Sequence, residues 1–237
     1  MIKTVIFFSG FGISLFISMI FAFFHIILGA LKLKKMQRRN LLFTTKAWAD
    51  AMLFISGNRP TIVNAELVPD SPVLFVVNHQ SYFDIPLCMA CMPHYAPFIA
   101  KVELSKVFMM SYWMRQMGCL FMDRSNMRQS LKVILEGIEM LKKGESLIIF
   151  PEGTRSKNGE MLEFKPGSLK LAVKANVPIV PVTIKNTYKV FEENNRIRKA
   201  DVSITFHEPI DTSELSREEI NVLHTTVRDI IKTTLER

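Results

Sequence analysis

The chain has 237 residues, which is the size of one ordinary domain with an appendage or of two small domains. This length excludes a disulfide-stapled miniprotein and a large multidomain machine. Hydrophobic residues make up 49% of the chain and charged residues 22%, a balance that excludes intrinsic disorder. The 30 Lys and Arg residues against 22 Asp and Glu residues give a formal net charge of +8, which raises two classes of partner, nucleic acid and a membrane surface.

The positive charge is concentrated at the N-terminus. Residues 1–57 contain seven basic residues and one acidic residue, a net charge of +6. Residues 58–237 contain 23 basic and 21 acidic residues, a net charge of only +2. We therefore divide the chain into an anchoring segment, residues 1–57, and a globular domain, residues 58–237. Because the domain is nearly neutral and has no basic face interleaved with aromatic residues, no nucleic-acid partner is expected.

The anchoring segment begins with a long apolar stretch. Residues 4–31 contain no Asp, Glu, Lys or Arg, and His25 is their only strongly polar side chain. As a continuous helix this stretch would be about 42 Å long, more than the roughly 30 Å of a bilayer's hydrocarbon core. It is also longer than the apolar part of a cleaved signal peptide. The pattern predicts a membrane anchor that either spans the bilayer with tilt or, broken near Gly10 and Gly12, returns as a monotopic helical hairpin.

Five cations follow the apolar stretch at once, namely Lys32, Lys34, Lys35, Arg38 and Arg39. Such a cluster is typical of the cytoplasmic flank of an anchor, where it also attracts anionic lipid head groups. The sequence therefore predicts membrane lipids as partners and a domain on the cytoplasmic face of the membrane. Residues 41–55 predict a second helix, which lies either at the membrane interface beside the anchor or in the core of the domain.

The domain alternates short apolar runs with longer amphipathic ones, which is typical of an α/β fold with a largely parallel sheet flanked by helices. The predicted strands are 73–77, 98–100, 119–122, 147–150, 179–184 and 202–206. The predicted helices are 85–92, 105–117, 127–142, 166–175 and 213–235. In such sheets the functional residues lie in loops beyond the carboxyl ends of the strands.

The three cysteines, Cys88, Cys91 and Cys119, are too few and too odd in number for a disulfide framework. Cys88 and Cys91 have the spacing of a redox motif, but they lack a second pair or nearby histidines and lie in an apolar run. We therefore predict three buried thiols, with no metal site and no bound cofactor.

The first polar motif, Asn78-His-Gln-Ser-Tyr-Phe-Asp84, follows the predicted strand 73–77 and precedes a predicted helix. His79 and Asp84 are five residues apart, so a turning loop would bring their side chains together, whereas a regular helix or strand would not. If they meet, the carboxylate fixes the imidazole tautomer and leaves the other ring nitrogen as a general base for a substrate hydroxyl. The alternative is a loop histidine and a helix-capping aspartate.

The second polar motif, Phe150-Pro-Glu-Gly-Thr-Arg-Ser156, also lies at the end of an apolar strand. Gly153 allows a close approach of the backbone, and Thr154 offers a hydroxyl. Arg155 presents a planar fork of N–H donors suited to phosphate or carboxylate. The alternative for this string alone is a polar turn.

Two more cations, Lys101 and Arg124, lie just beyond the ends of two other predicted strands. Each alone is typical of a solvated surface charge. Together with Arg155 they place three cations on the rim where an anionic ligand would bind.

A further apolar string, Val177-Pro-Ile-Val-Pro-Val182, predicts a buried strand interrupted by prolines. Because proline cannot donate a hydrogen bond to a neighbouring strand, we expect this strand at an edge of the sheet or at a bulge.

These motifs, in this order, resemble those of the glycerolipid acyltransferase family, and most closely the 1-acyl-sn-glycerol-3-phosphate (lysophosphatidate) acyltransferases. The matching strings are Asn78-His79 with Asp84, Gly118-Cys-Leu-Phe-Met-Asp-Arg124, Phe150-Pro-Glu-Gly-Thr-Arg155 and Val177-Pro-Ile-Val-Pro181. They fall within residues 73–184, about half of the chain.

The resemblance implies that His79, oriented by Asp84, deprotonates the free sn-2 hydroxyl of lysophosphatidate. The hydroxyl oxygen then attacks an acyl thioester, carried by coenzyme A or acyl carrier protein as co-substrate, and gives phosphatidate in phospholipid biosynthesis. The substrate-binding residues that it implies, mainly for the phosphate, are Lys101, Arg124, Glu152, Gly153, Thr154 and Arg155.

Other functions are also compatible with these motifs. The acceptor is lysophosphatidate, another lysolipid or glycerol 3-phosphate, and a hydrolase or transacylase would use water or a second lipid in place of the usual partner. A non-catalytic, membrane-tethered phosphate-binding protein would keep the fold and tolerate the loss of His79.

Overall fold

The computed structural model describes residues 1–236. The helices are α1 (Ile2–Ala30), α2 (Lys34–Ser56), α3 (Asp84–Cys91), α4 (Phe108–Gln116), α5 (Met127–Lys142), α6 (Lys170–Ala175) and α7 (Arg217–Leu235). The strands are β1 (Thr61–Val63), β2 (Leu74–Val77), β3 (Ile99–Lys101), β4 (Leu120–Met122), β5 (Leu147–Ile149), β6 (Ile179–Lys185) and β7 (Ser203–Phe206).

Five strands form one sheet in the order β1-β7-β6-β2-β5. All neighbours in it are parallel except β6 and β7. Strands β3 and β4 form a parallel pair, which a single bridge from Phe98 to Ile148 attaches beside β5. The predicted α/β class with a largely parallel sheet is therefore confirmed.

Helices cover both faces of the sheet, because its central strands are apolar on both sides. Strand β2 is buried at every residue, and alternate side chains enter two different cores. Phe75 and Val77 pack with residues of α1 to α4, whereas Leu74 and Val76 pack with residues of α5, α6 and α7. The result is a three-layer domain with the carboxyl ends of β2, β5 and β6 on one rim.

The N-terminal segment forms a helical hairpin of α1 and α2, which is not the hairpin predicted within residues 4–31. Helix α1 runs unbroken through Gly10 and Gly12, so the predicted break there is wrong. The chain turns at residues 31–33 instead, and α2 returns antiparallel to α1. The space beside Gly10 is used for close packing, since a β-carbon placed there would lie 3.2 Å from Ile55.

Helix α1 lies along the domain and is fixed to it near both of its ends. Near its start, the Thr4 hydroxyl accepts a hydrogen bond of 3.0 Å from the Ile197 amide. Further along, Trp113 of α4 donates to Ser18 at 3.0 Å, and the His25 ring lies 3.1 Å from the Gln116 side chain. The 29 residues of α1 are long and apolar enough to cross a membrane.

The proline-containing strand β6 is not at an edge, which corrects the sequence-based expectation. It lies between β2 and β7 in the middle of the sheet. Pro181 is tolerated because its carbonyl points towards β7, where it accepts from the His207 amide at 3.0 Å. The missing N–H points to the same side, and the β7 ladder begins only at the next residue, Val182.

The three cysteines are buried and free, as predicted. Burial raises the pKa of the Cys91 and Cys119 thiols to about 11 and also raises that of Cys88. These thiols are therefore protonated near neutral pH and act as small apolar side chains.

Candidate active site

The loop between β2 and α3 brings His79 and Asp84 into contact. The His79 Nδ1 atom lies 2.7 Å from Asp84 Oδ2. Asp84 is the first residue of α3, so the chain turns between the end of the strand and the first helical turn. The alternative of a separate loop histidine and capping aspartate is therefore wrong.

The environment of Asp84 makes its carboxylate an acceptor. The side chain is fully buried, and its Oδ2 atom also accepts from the amides of Gln80 and Ser81 at 2.7 and 2.9 Å. The Thr187 hydroxyl donates to Oδ1 at 2.5 Å. Because donors occupy both oxygens, His79 Nδ1 carries the proton that it shares with Asp84. The imidazole is thus held as the tautomer whose Nε2 is a free base.

The other contacts of His79 hold the ring and leave Nε2 accessible. The ring stacks on Phe150 with centroids 4.2 Å apart and planes inclined by 22°. The side chain is 17% exposed, and Nε2 has no hydrogen-bond partner within residues 1–236. Behind the loop, the side-chain amide of Asn78 donates to the C=O of Ile184 in β6 and accepts from its N–H. These two bonds fix the end of β2.

Glu152 joins the second polar motif to the first. Its carboxylate accepts from the His79 amide at 2.6 Å and from the Leu162 amide at 2.9 Å. Burial raises the pKa of Glu152 to about 7, an effect that these two hydrogen bonds oppose. Two more bonds join the loops, since the amides of Ser156 and Lys157 donate to the carbonyls of His79 and Gln80. Glu152 thus positions the backbone of the histidine.

Arg155 is engaged with a buried acid and an aromatic ring. Its Nη1 atom donates to Glu192 Oε1 at 3.0 Å, and its guanidinium carbon lies 3.4 Å from the centre of the Tyr82 ring. Glu192 also accepts from the Tyr82 amide at 2.8 Å and from the Ser81 hydroxyl at 2.7 Å. One carboxylate therefore fixes both the β2–α3 loop and the arginine, whose other N–H groups have no hydrogen-bond partner within residues 1–236.

The remaining predicted residues lie at or near this rim. Arg124 is close to Gly153, because a β-carbon placed on this glycine would lie 3.4 Å from Arg124 Nη1. Gly153 has a φ of +78°, the left-handed region that favours glycine. Thr154 is exposed. Lys101 ends β3, and its ammonium is paired with Glu103 at 2.7 Å on the surface, so it is less free than the sequence suggested.

Sequence reasoning missed Thr187 and Glu192. Thr187 follows β6, so its position beyond a strand end is a signal that was available. Glu192 lies further along the same connection and has no local signal. Both complete the hydrogen bonding of residues more than 100 positions earlier in the chain.

The model of the acyltransferase family matches residues 59–185 of this chain. That range is more than half of the chain and includes both polar motifs. The chain belongs to the acyltransferase family. Membership agrees with the resemblance carried by the sequence motifs, and it makes this protein an enzyme.

Similar acyltransferases extend the match beyond that range. A protein of Mycoplasma pneumoniae named as a probable 1-acyl-sn-glycerol-3-phosphate acyltransferase is 34% identical over 76% of this chain and 73% of its own length. The 1-acyl-sn-glycerol-3-phosphate acyltransferase of Borreliella burgdorferi is 33% identical over 78% of this chain and 74% of its own. The crystal structure of the 1-acyl-sn-glycerophosphate (LPA) acyltransferase PlsC from Thermotoga maritima superposes with a TM-score of 0.86 at 29% identity and covers 99% of this chain and 94% of that one.

Proposed function

We propose that this acyltransferase transfers a fatty acyl group from a thioester to the sn-2 hydroxyl of lysophosphatidate and so forms phosphatidate for phospholipid biosynthesis. The 2.7 Å contact between His79 Nδ1 and Asp84 Oδ2 carries the proposal, because it leaves an oriented base at Nε2. The relatives named above support lysophosphatidate as the acceptor.

The dyad suits this reaction step by step. His79 Nε2 takes the proton of the acceptor hydroxyl while its oxygen forms a bond to the thioester carbonyl carbon. The resulting imidazolium lies against the buried Asp84 carboxylate. The carbon–sulfur bond then breaks, and the imidazolium returns its proton to the departing thiolate. The products are the ester and a free thiol, so the reaction needs neither a metal nor a bound cofactor.

For the substrate phosphate we propose the cations and small residues of the same rim. Arg124 lies over Gly153, and Arg155 retains N–H groups beyond the one that Glu192 holds. Thr154 adds an exposed hydroxyl, and Lys101 lies at the end of β3. For Glu152 we propose a positioning role through the backbone of His79, because its carboxylate already accepts from the His79 and Leu162 amides.

We also propose that the α1–α2 hairpin lies in one leaflet of the membrane and holds the domain on the cytoplasmic face. Thr4 and His25, which both contact the domain, are separated by about 32 Å of helix. A helix fixed to one domain at both ends lies along it and does not leave through the opposite leaflet. Its outward side exposes large apolar residues, including Ile13, Phe16, Ile20, Phe23 and Phe24.

The basic cluster at the turn of the hairpin and along α2 fits this arrangement. Lys35, Arg38, Arg39 and Lys46 line an open groove of about 620 Å³ on α2. Cations beside an apolar surface bind anionic head groups at the cytoplasmic leaflet. A substrate with a fatty chain then reaches His79 without leaving the lipid.

A direct assay tests the proposed reaction. Purified protein in mixed micelles is given lysophosphatidate with either acyl-CoA or acyl carrier protein carrying the same acyl group, and products are identified by mass spectrometry. We expect phosphatidate and one equivalent of free thiol with at least one donor, and the comparison identifies the donor. Release of free fatty acid without phosphatidate would instead identify a hydrolase.

The proposed position of the hairpin in the membrane predicts that polar substitutions on the outward side of α1 weaken lipid binding. Changing Phe16, Ile20 and Phe23 together to Asp removes three apolar contacts of roughly 2 kcal/mol each, so affinity for vesicles should fall by more than about 100-fold. The measurement is flotation with phosphatidylcholine–phosphatidylglycerol vesicles. Val222→Asp, which changes an equally exposed apolar residue on α7, is the matched control and should float like the wild type. Unchanged flotation of the triple variant would contradict the proposal.

A further inference from the structure

The space above Gly153 is occupied by the ends of two cationic side chains. A β-carbon placed on Gly153 would lie 3.0 Å from Lys165 Nζ and 3.4 Å from Arg124 Nη1. The two cationic groups are therefore neighbours, although they come from segments about 40 residues apart. They flank the residue that follows Glu152, whose carboxylate holds the His79 backbone.

Neither cation of this pair has an ion-pair partner among the described residues, although Glu103, which pairs with Lys101, also acts on Arg124 electrostatically. Within residues 1–236, neither Arg124 nor Lys165 forms an ion pair with a carboxylate. The other two cations predicted for the phosphate are both paired, Lys101 with Glu103 and Arg155 with Glu192. Two like charges held close together repel one another, and a bound anion offsets that repulsion.

The position of Lys165 is fixed by the fold, although its side chain is exposed. Its amide donates to the Pro151 carbonyl at 3.1 Å. The preceding residue, Phe164, is buried in the core, and the amide of Leu162 donates to Glu152. The segment 162–165 therefore lies beside the second catalytic loop and carries the ammonium group to Gly153.

We propose that Lys165 and Arg124 together bind the phosphate monoester of the acceptor, with Gly153 allowing both cationic groups to approach the loop backbone closely. This inference rests on the proposed function and adds Lys165 to the substrate-binding residues. Lys165 supplies a compact point charge, and Arg124 supplies a planar fork of donors. Arg155 lies on the same loop as Gly153, where Glu192 holds it and its guanidinium lies over the Tyr82 ring.

Direct binding tests the site separately from catalysis. A short-chain lysophosphatidate, 1-hexanoyl-glycerol 3-phosphate, is titrated into wild type, Lys165→Met, Lys165→Arg and Lys174→Met in detergent by calorimetry. We expect Lys165→Met to raise the Kd by roughly tenfold or more, the size of one hydrogen bond to a charged group. Lys165→Arg should largely restore binding. Lys174, an exposed lysine on α6 before the start of β6, is the matched control and should have no effect.

Kinetics distinguish the acceptor phosphate from the phosphates of the donor. We expect Lys165→Met to raise the KM for lysophosphatidate and to leave the KM for the acyl donor unchanged. A rise confined to the donor KM would overturn the proposal, and so would equal Kd values for wild type and Lys165→Met. If wild type binds the probe, Lys165→Met does not, and neither makes phosphatidate, the site stands and the proposed reaction fails.

Discussion

His79→Ala is expected to lower kcat by about 10²–10⁴-fold, because the substitution removes the base that we propose for the acceptor hydroxyl. The protein should still fold. Asp84, the partner of the lost imidazole, keeps its bonds from two backbone amides and from Thr187. The KM for lysophosphatidate should change little, since the cations around Gly153 stay in place. The measurement is thiol release at saturating concentrations of both substrates.

His224→Ala is the matched control for this experiment. His224 lies on α7, across the sheet from the α1–α4 layer, and should tolerate the change with full activity. Far-ultraviolet circular dichroism and vesicle flotation of His79→Ala should equal those of wild type. A His79→Ala enzyme with near wild-type turnover would show that the imidazole is not the base and would contradict the proposed mechanism.

The dyad was predictable because it is local. Asp84 follows His79 by only five residues. The sequence pattern predicts both the apolar strand before His79 and the helix that begins near Asp84. The chain has to turn between such elements, and this turn brings the two side chains together. The helix 127–142 was predicted to the residue for a similar reason, since its apolar positions recur at helical spacing.

The residues that surround the dyad were not predictable, because their contacts depend on the order of the strands. Thr187 reaches Asp84 only because β6 lies next to β2, and nothing local to either strand states that order. Glu192 and Lys165 approach from further loops on the same rim. The sequence alone therefore presents Arg155 as a free cation. In the structure its buried partner, Glu192, holds one N–H group, so only the rest of the guanidinium can face a ligand.

One strand was not predicted and one of the two alternatives for the anchor was wrong, because tertiary packing decides both features. Strand β1 was missed because it has three residues, an exposed Ile62 and a parallel partner, β7, about 140 residues later. Gly10 suggested a break in the anchor, yet it allows α2 to pack closely against an unbroken α1. In both cases the deciding contact is distant in sequence.

Asp84→Ala should be about as damaging as loss of the histidine, with kcat reduced by roughly 10³–10⁴-fold. The substitution removes the acceptor that fixes the imidazole tautomer, and it leaves the buried amides of Gln80 and Ser81 without a partner. Each unsatisfied amide costs about 1–3 kcal/mol of folding free energy, so the variant should also unfold at a lower temperature.

Asp84→Asn separates orientation from charge, because the geometry dictates how the amide would sit. Three donors converge on Oδ2, so the amide oxygen takes that place, and the NH₂ group faces the Thr187 hydroxyl, which can accept. His79 keeps its tautomer, but the imidazolium that forms during transfer loses its counter-charge. We therefore expect an intermediate loss of roughly 10- to 150-fold in kcat, the value of a hydrogen bond to a charged group, with nearly normal stability.

The contrast between the two variants is measured by kcat and thermal unfolding on the same preparations. Asp211→Asn, which changes an exposed aspartate that bonds the Ser213 amide, is the control for the substitution itself. An Asp84→Asn enzyme with full activity would mean that no positive charge develops on His79 in the rate-limiting step. An Asp84→Asn enzyme as inactive as Asp84→Ala would mean that the negative charge, and not the orientation of the ring, supplies nearly all of the contribution of Asp84.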